Sequence, residues 1–373
     1  MGFYDKINNS FNKISETIYI ERTKFGEKQS IKKKKSFYSD VVWTQDEKRL
    51  FDDYWMKSYG KIIPDSWHKM YQKMSGVFHE NYFPEFLFST KLEPLINNKK
   101  YCEVFADKSL LYSLFSDIDG IRPPKAFVIN TCGNYFDGNM DMITKEDAVK
   151  VLNNIGSVLF KATVDSSGGK SIIIADFENG KDKKTGLTPA EIFDKYGKNF
   201  IAQERLLPSK ELAGIYPLAL NTFRIITYRA KDHYGSCPVA MRMGAGGMNV
   251  DNITSGGLCV GVSDDGHLKK YASNTRYGEV CNQNYTSHPD TGTVFEGYLI
   301  PQIPKMIELA KTMHKKTPQV GIISWDLSVN DKNEIIIVEA NFFDQSAWFP
   351  QIINGEPLFK EDTEYMLSLI RND

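Results

Sequence analysis

The sequence predicts an antiparallel α+β protein with two or three domains. Short runs of β-branched and aromatic residues are joined mostly by turn residues, so hairpin signals outnumber strand–helix–strand units. At 373 residues the chain is long enough for several hydrophobic cores, and its 41% hydrophobic and 25% charged residues are typical of a globular protein. No internal repeat is present, which excludes a repeat architecture.

Composition excludes several functional classes. The formal net charge of −1 provides no overall field that would attract nucleic acid. The six histidines lack metal-ligand spacing, and we find neither a signal peptide nor an apolar run long enough to span a bilayer. The cysteines are odd in number and widely spaced, which indicates free thiols in a reducing compartment: Cys102, Cys132, Cys237, Cys259 and Cys281. We expect a cytoplasmic protein.

Three regions differ in amino-acid composition and pattern, with predicted boundaries of 1–103, 104–205 and 206–373. The first is rich in aromatic and charged residues and poor in glycine. Its apolar residues from Phe3 to Ile18 recur at helical spacing, and another helix is predicted over 48–59. We expect the amphipathic start to pack on the rest of the protein. Weak association with the inner face of a membrane, or with a partner helix, remains an alternative.

A lysine run, Lys32–Lys35, follows this first helix. Such a run usually forms a solvated surface, and it would also suit a phosphate or an acidic glycan. The second region then alternates helix and strand signals: helix over 108–115, a break at Pro123-Pro124, strand over 125–129, helix over 145–154 after a Thr144 cap, and strands over 157–162 and 171–176. The third mixes strands with glycine-rich connections and ends in helices over 303–314 and 362–370.

A strand with one lysine precedes a loop of small residues. Lys161 lies in the apolar run 158–162, and Asp165-Ser166-Ser167-Gly168-Gly169-Lys170 follows it. Backbone N–H groups of such a loop can approach phosphate oxygens, and the lysine adds a fixed positive charge. No helix-opening Gly-Lys-Ser/Thr follows, so this is not a Walker loop. A solvated hairpin turn explains the segment equally well.

The segment 200–208 is predicted to be a strand that ends at Pro208. Such a strand exit can present backbone groups to the edge of an adenine, with Glu211 within reach of a ribose. A plain linker between two lobes is the alternative.

Two further strands carry arginines among apolar neighbours. Asn221 and Arg224 lie in the strand 221–228, and Arg242 lies in 239–244. A buried guanidinium needs an anionic partner, either a ligand or a structural carboxylate. The glycine-rich stretch 244–257 is too long for a tight turn and suits a loop that closes over a ligand.

The runs 323–327 and 335–341 predict a β-hairpin, because residues 330–333 between them favour a turn. Residues two apart on a strand share a face, so Glu339 and Asn341 can converge, with Asp326 on the opposite strand. Two carboxylates and an amide oxygen are hard ligands that suit Mg²⁺ beside nucleotide phosphates. An ordinary polar, solvated hairpin end is the competing interpretation.

The order of these segments is more specific than any one of them. It resembles the order found in ATP-grasp enzymes, and most closely their sugar-transfer-associated branch. The segments that carry the resemblance are Asn221-Thr222-Phe223-Arg224, Arg242-Met243-Gly244, Asp251-Asn252 with Gly256-Gly257, and Glu339-Ala340-Asn341. It extends from about residue 104 to the C-terminus, whereas the first hundred residues correspond only loosely.

The resemblance implies an ATP-grasp fold in which two α+β lobes sandwich the nucleotide, beside a mainly helical N-terminal region. The residues implied to bind ATP are Lys108 and Lys161 at the phosphates, Ser166, Ser167, Gly168 and Gly169 as a lid, Gln203, Glu204, Arg205 and Leu206 at adenine, and Glu211 at the ribose. Asp326, Glu339 and Asn341 would hold one or two Mg²⁺ ions, with Mn²⁺ as a substitute. Arg224, Arg242 and Asn252 are the implied catalytic residues, and Asn221, Arg224, Gly256 and Gly257 the implied substrate-binding ones.

The implied reaction is ATP-dependent amide formation through an acyl phosphate. For this branch the expected substrates are an amino acid and a uronic-acid sugar, linked to a nucleotide or a glycan, in capsule or other surface-polysaccharide synthesis. A ligase for another pair, such as two amino acids, remains an alternative. So does a nucleotide-binding module of a glycan-assembly complex that lacks turnover. Neither the substrates nor the oligomeric state follows from the sequence.

Overall fold

A computed structural model describes residues 3–153, 155–164, 172–252, 256–274 and 284–371, with side chains from Ile14 onwards except at Glu16. Its α-helices in chain order are α1 (Phe3–Lys33), α2 (Lys35–Tyr38), α3 (Gln45–Tyr59), α4 (Ser66–Ser75), α5 (Glu85–Leu87), α6 (Glu93–Ile96), α7 (Lys99–Phe105), α8 (Leu111–Leu114), α9 (Lys145–Asn153), α10 (Pro189–Tyr196), α11 (Lys210–Ile215), α12 (Ile303–Lys315), α13 (Trp348–Asn354) and α14 (Thr363–Leu369). In these ranges no helix has the length and apolar character needed to span a membrane.

The strands in chain order are β1 (Ile121–Arg122), β2 (Ala126–Thr131), β3 (Asn134–Asp137), β4 (Met142–Ile143), β5 (Ser157–Ala162), β6 (Ile173–Glu178), β7 (Lys181–Asp182), β8 (Phe200–Glu204), β9 (Thr222–Ala230), β10 (His233–Ser236), β11 (Val239–Met243), β12 (Leu258–Val262), β13 (Leu268–Ser273), β14 (Asn284–Tyr285), β15 (Ile322–Val329) and β16 (Ile335–Asn341). They form two sheets, which confirms the predicted α+β class.

The larger sheet has the order β1-β16-β15-β9-β11-β12-β13-β14, with β10 paired to β9. Its pairs are antiparallel except for β1 with β16. One face packs on α12 through a core that includes Trp325 and Met306, both fully buried. The opposite face carries polar side chains at one end and packs on N-terminal helices at the other.

The smaller sheet has the order β4-β3-β2-β8-β5-β6-β7 and is antiparallel throughout. Helices α9 and α10 cover it, and the core between them includes Phe160, Phe193 and Phe200. The local sequence determines where both helices begin. Thr188 accepts from the backbone of Glu191 in a capping box, and Thr144 accepts from Asp147 at 3.1 Å.

The N-terminal helices cover the second face of the larger sheet. Phe51 and Trp55 of α3 share a core with Ile226 and Tyr228 of β9. Helices α2 and α4 pack on α13, which lies against β11 and β12. The approach of α13 requires Gly261, because a Cβ there would lie 2.6 Å from the carbonyl oxygen of Ile353.

Part of the range 104–122, which the predicted boundaries group with the smaller lobe, packs with the larger sheet. Leu111, Phe115 and Ile118 belong to the core beneath that sheet, and β1 extends its edge beside β16. The first strand of the smaller sheet follows the Pro123-Pro124 break. The reason is tertiary: the apolar residues of α8 are buried by the larger sheet, and their spacing alone does not specify which sheet covers them.

Candidate active site

Strands β15 and β16 form the predicted hairpin and place three polar side chains on one face. Asp326 lies directly opposite Glu339, and Ser324 lies opposite Asn341. Directly paired residues of an antiparallel ladder project to the same side, so Asp326, Glu339 and Asn341 share a face. The register shifts beside Asp326, which leaves Val338 as an extra residue with no directly opposite partner on β15.

Two arginines from neighbouring strands bind Asp326. Arg224 is its partner in the β9–β15 register, and Nε donates to Oδ1 at 2.5 Å. Arg242 on β11 reaches across β9 and donates to Oδ2 at 2.8 Å. The three side chains are only 15%, 17% and 3% exposed for Arg224, Arg242 and Asp326, respectively. Both arginines therefore have the anionic partner that their buried positions require.

The arginine charges control the ionisation of Asp326. Burial alone would raise the pKa of this carboxyl, but the positive charges of Arg224 and Arg242 outweigh it and hold the pKa below its ordinary value. Burial would lower the pKa of Arg242, whereas Asp326 and then Asp251 raise it further. Asp326 and Arg242 are therefore both charged near neutral pH.

Thr222 and Asp251 extend this network. The Arg242 guanidinium donates to Thr222 Oγ1 at 2.8 Å, and the Thr222 hydroxyl donates to Asp251. Arg242 Nε also lies 3.9 Å from Asp251 Oδ2. Thr222 had no predicted role, although its position two residues before Arg224 places it on the same face.

The predicted residues Asn252, Gly256 and Gly257 follow Asp251 in the chain, and Gly257 lies close to Met243 at the end of β11. The Gly257 N–H donates to the Asn252 carbonyl at 3.1 Å. A Cβ at Gly257 would lie 2.8 Å from the Met243 carbonyl oxygen, so the segment packs too closely for a side chain. Gly256 has φ +102°, which favours glycine. Both glycines thus shape the backbone next to Arg242.

Asn221 was predicted to contact substrate, and its side chain is occupied by backbone groups. It is fully buried, with Nδ2 donating to the Tyr216 carbonyl at 2.8 Å and Oδ1 accepting from Gly244 at 3.2 Å. These bonds join the end of α11 to the exit of β11. In this arrangement Asn221 positions the strand that carries Arg224.

Two lysines approach the same face from the other side. Lys161 of β5 belongs to the smaller sheet, and its Nζ donates to the Val338 carbonyl of the bulge at 3.2 Å. Lys108 Nζ lies 3.3 Å from Glu339 Oε1, and the Lys108 N–H donates to the Thr163 carbonyl at 2.9 Å. The predicted phosphate lysines are therefore brought together with the predicted metal ligand Glu339.

Lys161 has a perturbed ionisation. Burial lowers its pKa to about 8, the charge of Glu339 opposes this shift, and the neighbouring charge of Lys108 adds to it. A partly buried amine with a nearby like charge is suited to receive an anion, because an anion would relieve both the desolvation and the repulsion.

The predicted adenine segment lies where the two lobes join. Gln203 is buried on β8, where Tyr112 Oη donates to its Oε1 at 3.3 Å. After β8 the chain crosses to the larger sheet, and the Ser209 N–H donates to the Val329 carbonyl at 2.9 Å. Ser209 then caps α11, which places Glu211 in the first helical turn. The segment is thus also the connection between the lobes.

Glu204, predicted to meet adenine, accepts hydrogen bonds from the protein itself. The Lys125 N–H donates to its Oε1 at 2.6 Å, and Arg122 forms an ion pair with it at 2.5 Å. Arg122 also binds Glu334 in the hairpin turn at 2.6 Å, so it links the two sheets. Arg122 was not among the predicted site residues, and its position just before Pro123-Pro124 is the one sequence signal that points to it.

The remaining residues predicted to bind ATP differ in their exposure and in whether the structure describes them. Arg205 is exposed, with a guanidinium 3.9 Å from Asp176, and Leu206 is half-buried. The lid residues lie outside the described part of the chain: Ser166, Ser167, Gly168 and Gly169.

The hairpin residues fit a divalent cation. Each carboxylate oxygen can accept more than one interaction, so Asp326 retains lone pairs beside its guanidinium partners. Glu339 is 31% exposed and Asn341 is half-buried on the same face, so both are accessible. Within the described ranges no group of three His, Cys, Asp or Glu side chains forms a metal cluster, and this set depends on the Asn341 amide oxygen.

Comparison with solved structures finds two ligases and a synthetase at low identity. A D-alanine–D-alanine ligase from Coxiella burnetii has a TM-score of 0.39 and 12% identity, covering 74% of this chain and 59% of that one. A D-Ala:D-Ser ligase from Enterococcus faecalis has a TM-score of 0.42 and 14% identity, covering 74% and 63%. An N5-carboxyaminoimidazole ribonucleotide synthetase, solved with ADP, has a TM-score of 0.38 and 11% identity, covering 69% and 53%.

The chain thus spans between about half and two thirds of the length of these three proteins. No curated protein sequence matches it significantly. The family model described as sugar-transfer associated ATP-grasp matches residues 87–365, which is most of the chain and includes the hairpin, both arginine strands and the two lysines. The chain therefore belongs to the sugar-transfer associated ATP-grasp family.

Proposed function

We propose that the protein is an ATP- and Mg²⁺-dependent carboxylate–amine ligase that acts through an acyl phosphate. The observation that carries this proposal is the meeting of two lobes at one point. Lys161 from the smaller sheet contacts the bulge at Val338, next to Glu339, which shares its face with Asp326 and the arginine pair. Lysines suited to phosphates, oxygen ligands suited to a metal and arginines suited to an anion thus lie across one surface.

The lysines are suited to the phosphates of ATP. Lys161 and Lys108 lie beside Glu339 on the side of the hairpin that faces the smaller sheet. Mg²⁺, held by Asp326, Glu339 and Asn341, would supply positive charge that neutralises the phosphates. With both in place, Lys161 and Lys108 would orient the γ-phosphoryl group for transfer, since positioning and charge neutralisation provide most of the catalysis in phosphoryl transfer.

The arginines are suited to the acceptor. A substrate carboxylate would attack the γ-phosphoryl group, the bond between the β-oxygen and γ-phosphorus would break, and ADP would leave. An amine would then attack the acyl phosphate and release inorganic phosphate and a proton. Negative charge develops on the acyl oxygen in that second step, and Arg242 with Arg224 would stabilise it from a preorganised, poorly hydrated position.

The substrates we propose are an amino acid as the amine and a uronic-acid sugar, linked to a nucleotide or glycan, as the carboxylate. The product would be an amide on a capsule or other surface polysaccharide. The support for this assignment is family membership together with an anion-binding pair, Arg224 and Arg242, that suits a carboxylate. A ligase for two amino acids would use the same groups with a different acceptor pocket.

A substrate screen tests the proposal. Purified protein is incubated with Mg²⁺-ATP, individual amino acids and a uronic-acid sugar nucleotide, and both ADP release and product mass are measured. The expected result is ADP release that requires both substrates, with a product whose mass is that of the two joined with loss of water. Nucleotide binding without substrate-dependent ADP release in any combination would instead indicate a binding module.

A further inference from the structure

One face of helix α1 presents large apolar side chains to the outside. Ile14, Ile18 and Phe25 are 56%, 63% and 65% exposed. Their spacings of four and seven residues place them along one stripe of the helix. Scattered exposed apolar residues are common, whereas three on one helix face favour a role in binding.

The same face becomes basic towards the end of the helix. Lys28 and Lys32 continue the line of Phe25, three and seven residues further on, and both are exposed. Arg22, Lys24 and Lys33 flank this line and are exposed as well. The outward face of α1 therefore combines an apolar half with a cationic half.

The acidic residues of this stretch offset only part of that charge. Glu21 lies on the same line, three residues after Ile18 and four before Phe25, where it is exposed and forms an ion pair with Lys24 at 2.7 Å, so these two charges offset each other. Glu27 is turned inward and half-buried, where burial raises its pKa and the charge of Lys34 opposes that shift. From residue 22 to residue 33, the exposed charged side chains are all basic.

The inward face holds the helix in place, so the apolar and basic side chains are fixed outward. The Tyr19 hydroxyl donates to Asp344 at 2.5 Å, and the Tyr19 ring lies 5.9 Å from that of Phe343. Near the C-terminal end, Lys34 lies 5.7 Å from the ring centroid of Trp67.

We propose that the outward face of α1 binds the surface of an anionic lipid bilayer. Ile14, Ile18 and Phe25 would enter the boundary between headgroups and acyl chains, while the lysines meet the anionic headgroups. A partner helix fits less well, because an apolar seam would have to continue at the positions that Lys28 and Lys32 occupy.

Bilayer binding would place the active site beside the membrane. Asp344, which Tyr19 holds, follows Asn341 by three residues in the chain. The helix face opposite the bilayer thus contacts the segment that leaves the candidate metal site. The proposal goes beyond the ligase function and does not depend on it, because it concerns binding to lipid without nucleotide or substrate.

Vesicle co-sedimentation tests the proposal. The full chain is mixed with vesicles of phosphatidylcholine alone or of phosphatidylcholine and phosphatidylglycerol in equal amounts, without nucleotide. The protein is expected to sediment with the anionic vesicles, and this binding should weaken as salt is raised, because salt screens exposed lysines. Failure to sediment with the anionic vesicles at low salt overturns the proposal.

Variants locate the binding surface. The double variant Lys28→Ser/Lys32→Ser should bind anionic vesicles more weakly, by about fivefold for each lysine removed. Phe25→Ser should weaken it by about tenfold, because its ring would no longer be buried in the interface. Matched controls are Lys150→Ser on α9 and Val294→Ser, whose side chains are 73% and 60% exposed elsewhere on the protein. Both controls should bind as the wild type does.

Two results would overturn the assignment to α1. One is equal vesicle binding by wild type, Phe25→Ser and the double lysine variant, with unchanged melting temperatures. The other is that the wild type does not bind vesicles but self-associates in analytical ultracentrifugation, and that Phe25→Ser abolishes this self-association. The second result would assign this face to a second copy of the chain.

Discussion

Arg242 and Asp326 form an ion pair at 2.8 Å although their strands are not neighbours. Strand β9 lies between them, and its own Arg224 binds the same carboxylate at 2.5 Å. One buried carboxylate therefore organises two guanidinium groups on the face that also carries Glu339 and Asn341. Asp326 has a structural role in this network as well as its proposed role at the metal.

Asp326→Asn should destabilise the fold. Removing the shared carboxylate leaves two buried guanidinium groups without their main partner, and breaking a buried ion pair in this way costs about 3–5 kcal/mol. The variant should show a lower free energy of unfolding in urea than wild type. Asp331→Asn, in the exposed turn of the same hairpin, is the control and should unfold like wild type.

Wild type and Asp326→Asn should also differ in how their stability responds to acid. Because the pKa of Asp326 is lowered in the folded state, its contribution to stability is fully present above the ordinary aspartate pKa of about 3.9. It is lost as the pH falls through the lower pKa of the folded carboxyl. We expect wild type to lose this contribution in acid, and Asp326→Asn to lose less. The melting temperature of each protein is measured as the pH is lowered. An equal fall in melting temperature for wild type and Asp326→Asn would contradict the prediction.

Glu339→Gln should preserve the fold and remove most turnover. Glu339 is 31% exposed at the end of β16, so its substitution costs little packing, but a charged ligand for Mg²⁺ and the partner of Lys108 are lost. Asn341→Ala should act in the same direction through loss of the amide ligand. Calorimetry of Mg²⁺-nucleotide binding and the melting temperature check both variants. Near-normal ATP turnover at low Mg²⁺ would show that the hairpin does not hold the metal.

Lys161→Ala should weaken ATP binding far more than Lys32→Ala does. Lys161 contacts the hairpin bulge from the smaller sheet, whereas Lys32 is exposed on α1 and screened by salt. Calorimetry measures both affinities. Equal affinities in the two variants would refute the phosphate assignment.

ATP affinity should also depend on pH through Lys161. Its pKa is lowered to about 8, so the free protein loses this positive charge as the pH rises through that value, and affinity should fall there. Lys161→Arg keeps its charge and should show a flatter profile in the same titration. A wild-type affinity that stays constant from pH 7 to pH 9, about one unit on either side of that pKa, would contradict this prediction.

Arg242→Met should separate catalysis from nucleotide binding. Its guanidinium binds Asp326 and Thr222, whereas Lys161 and Lys108 contact Val338 and Glu339, so Mg²⁺-ATP affinity should remain near normal. An interaction made only in the transition state lowers the rate when it is removed, by on the order of a hundredfold for one such donor. Single-turnover amide formation measures this loss. Arg229→Met, an exposed position on the neighbouring strand β9, is the control. A rate loss fully explained by a lower melting temperature would instead assign Arg242 a structural role.

The family and the α+β fold were predictable because their signals are local. Turn chemistry at 330–333 and the β-branched residues that begin the run 335–341 predict the hairpin, and the observed strands Ile322–Val329 and Ile335–Asn341 confirm it. The order of lysine, arginine and hairpin segments then indicated the ATP-grasp family, which the family match confirms. The site roles of these residues stay predictions, although the structure brings most of them together.

What the sequence determined by itself is which residues lie on strands, which share a face and which family the chain belongs to. Only the tertiary structure decided which side chains meet. Arg242 binds Asp326 across an intervening strand, Arg122 joins the two sheets through Glu204 and Glu334, and Asn221 is used by backbone groups. These contacts depend on strand order and on a one-residue bulge at Val338, and neither is encoded in the local periodicity of any single segment.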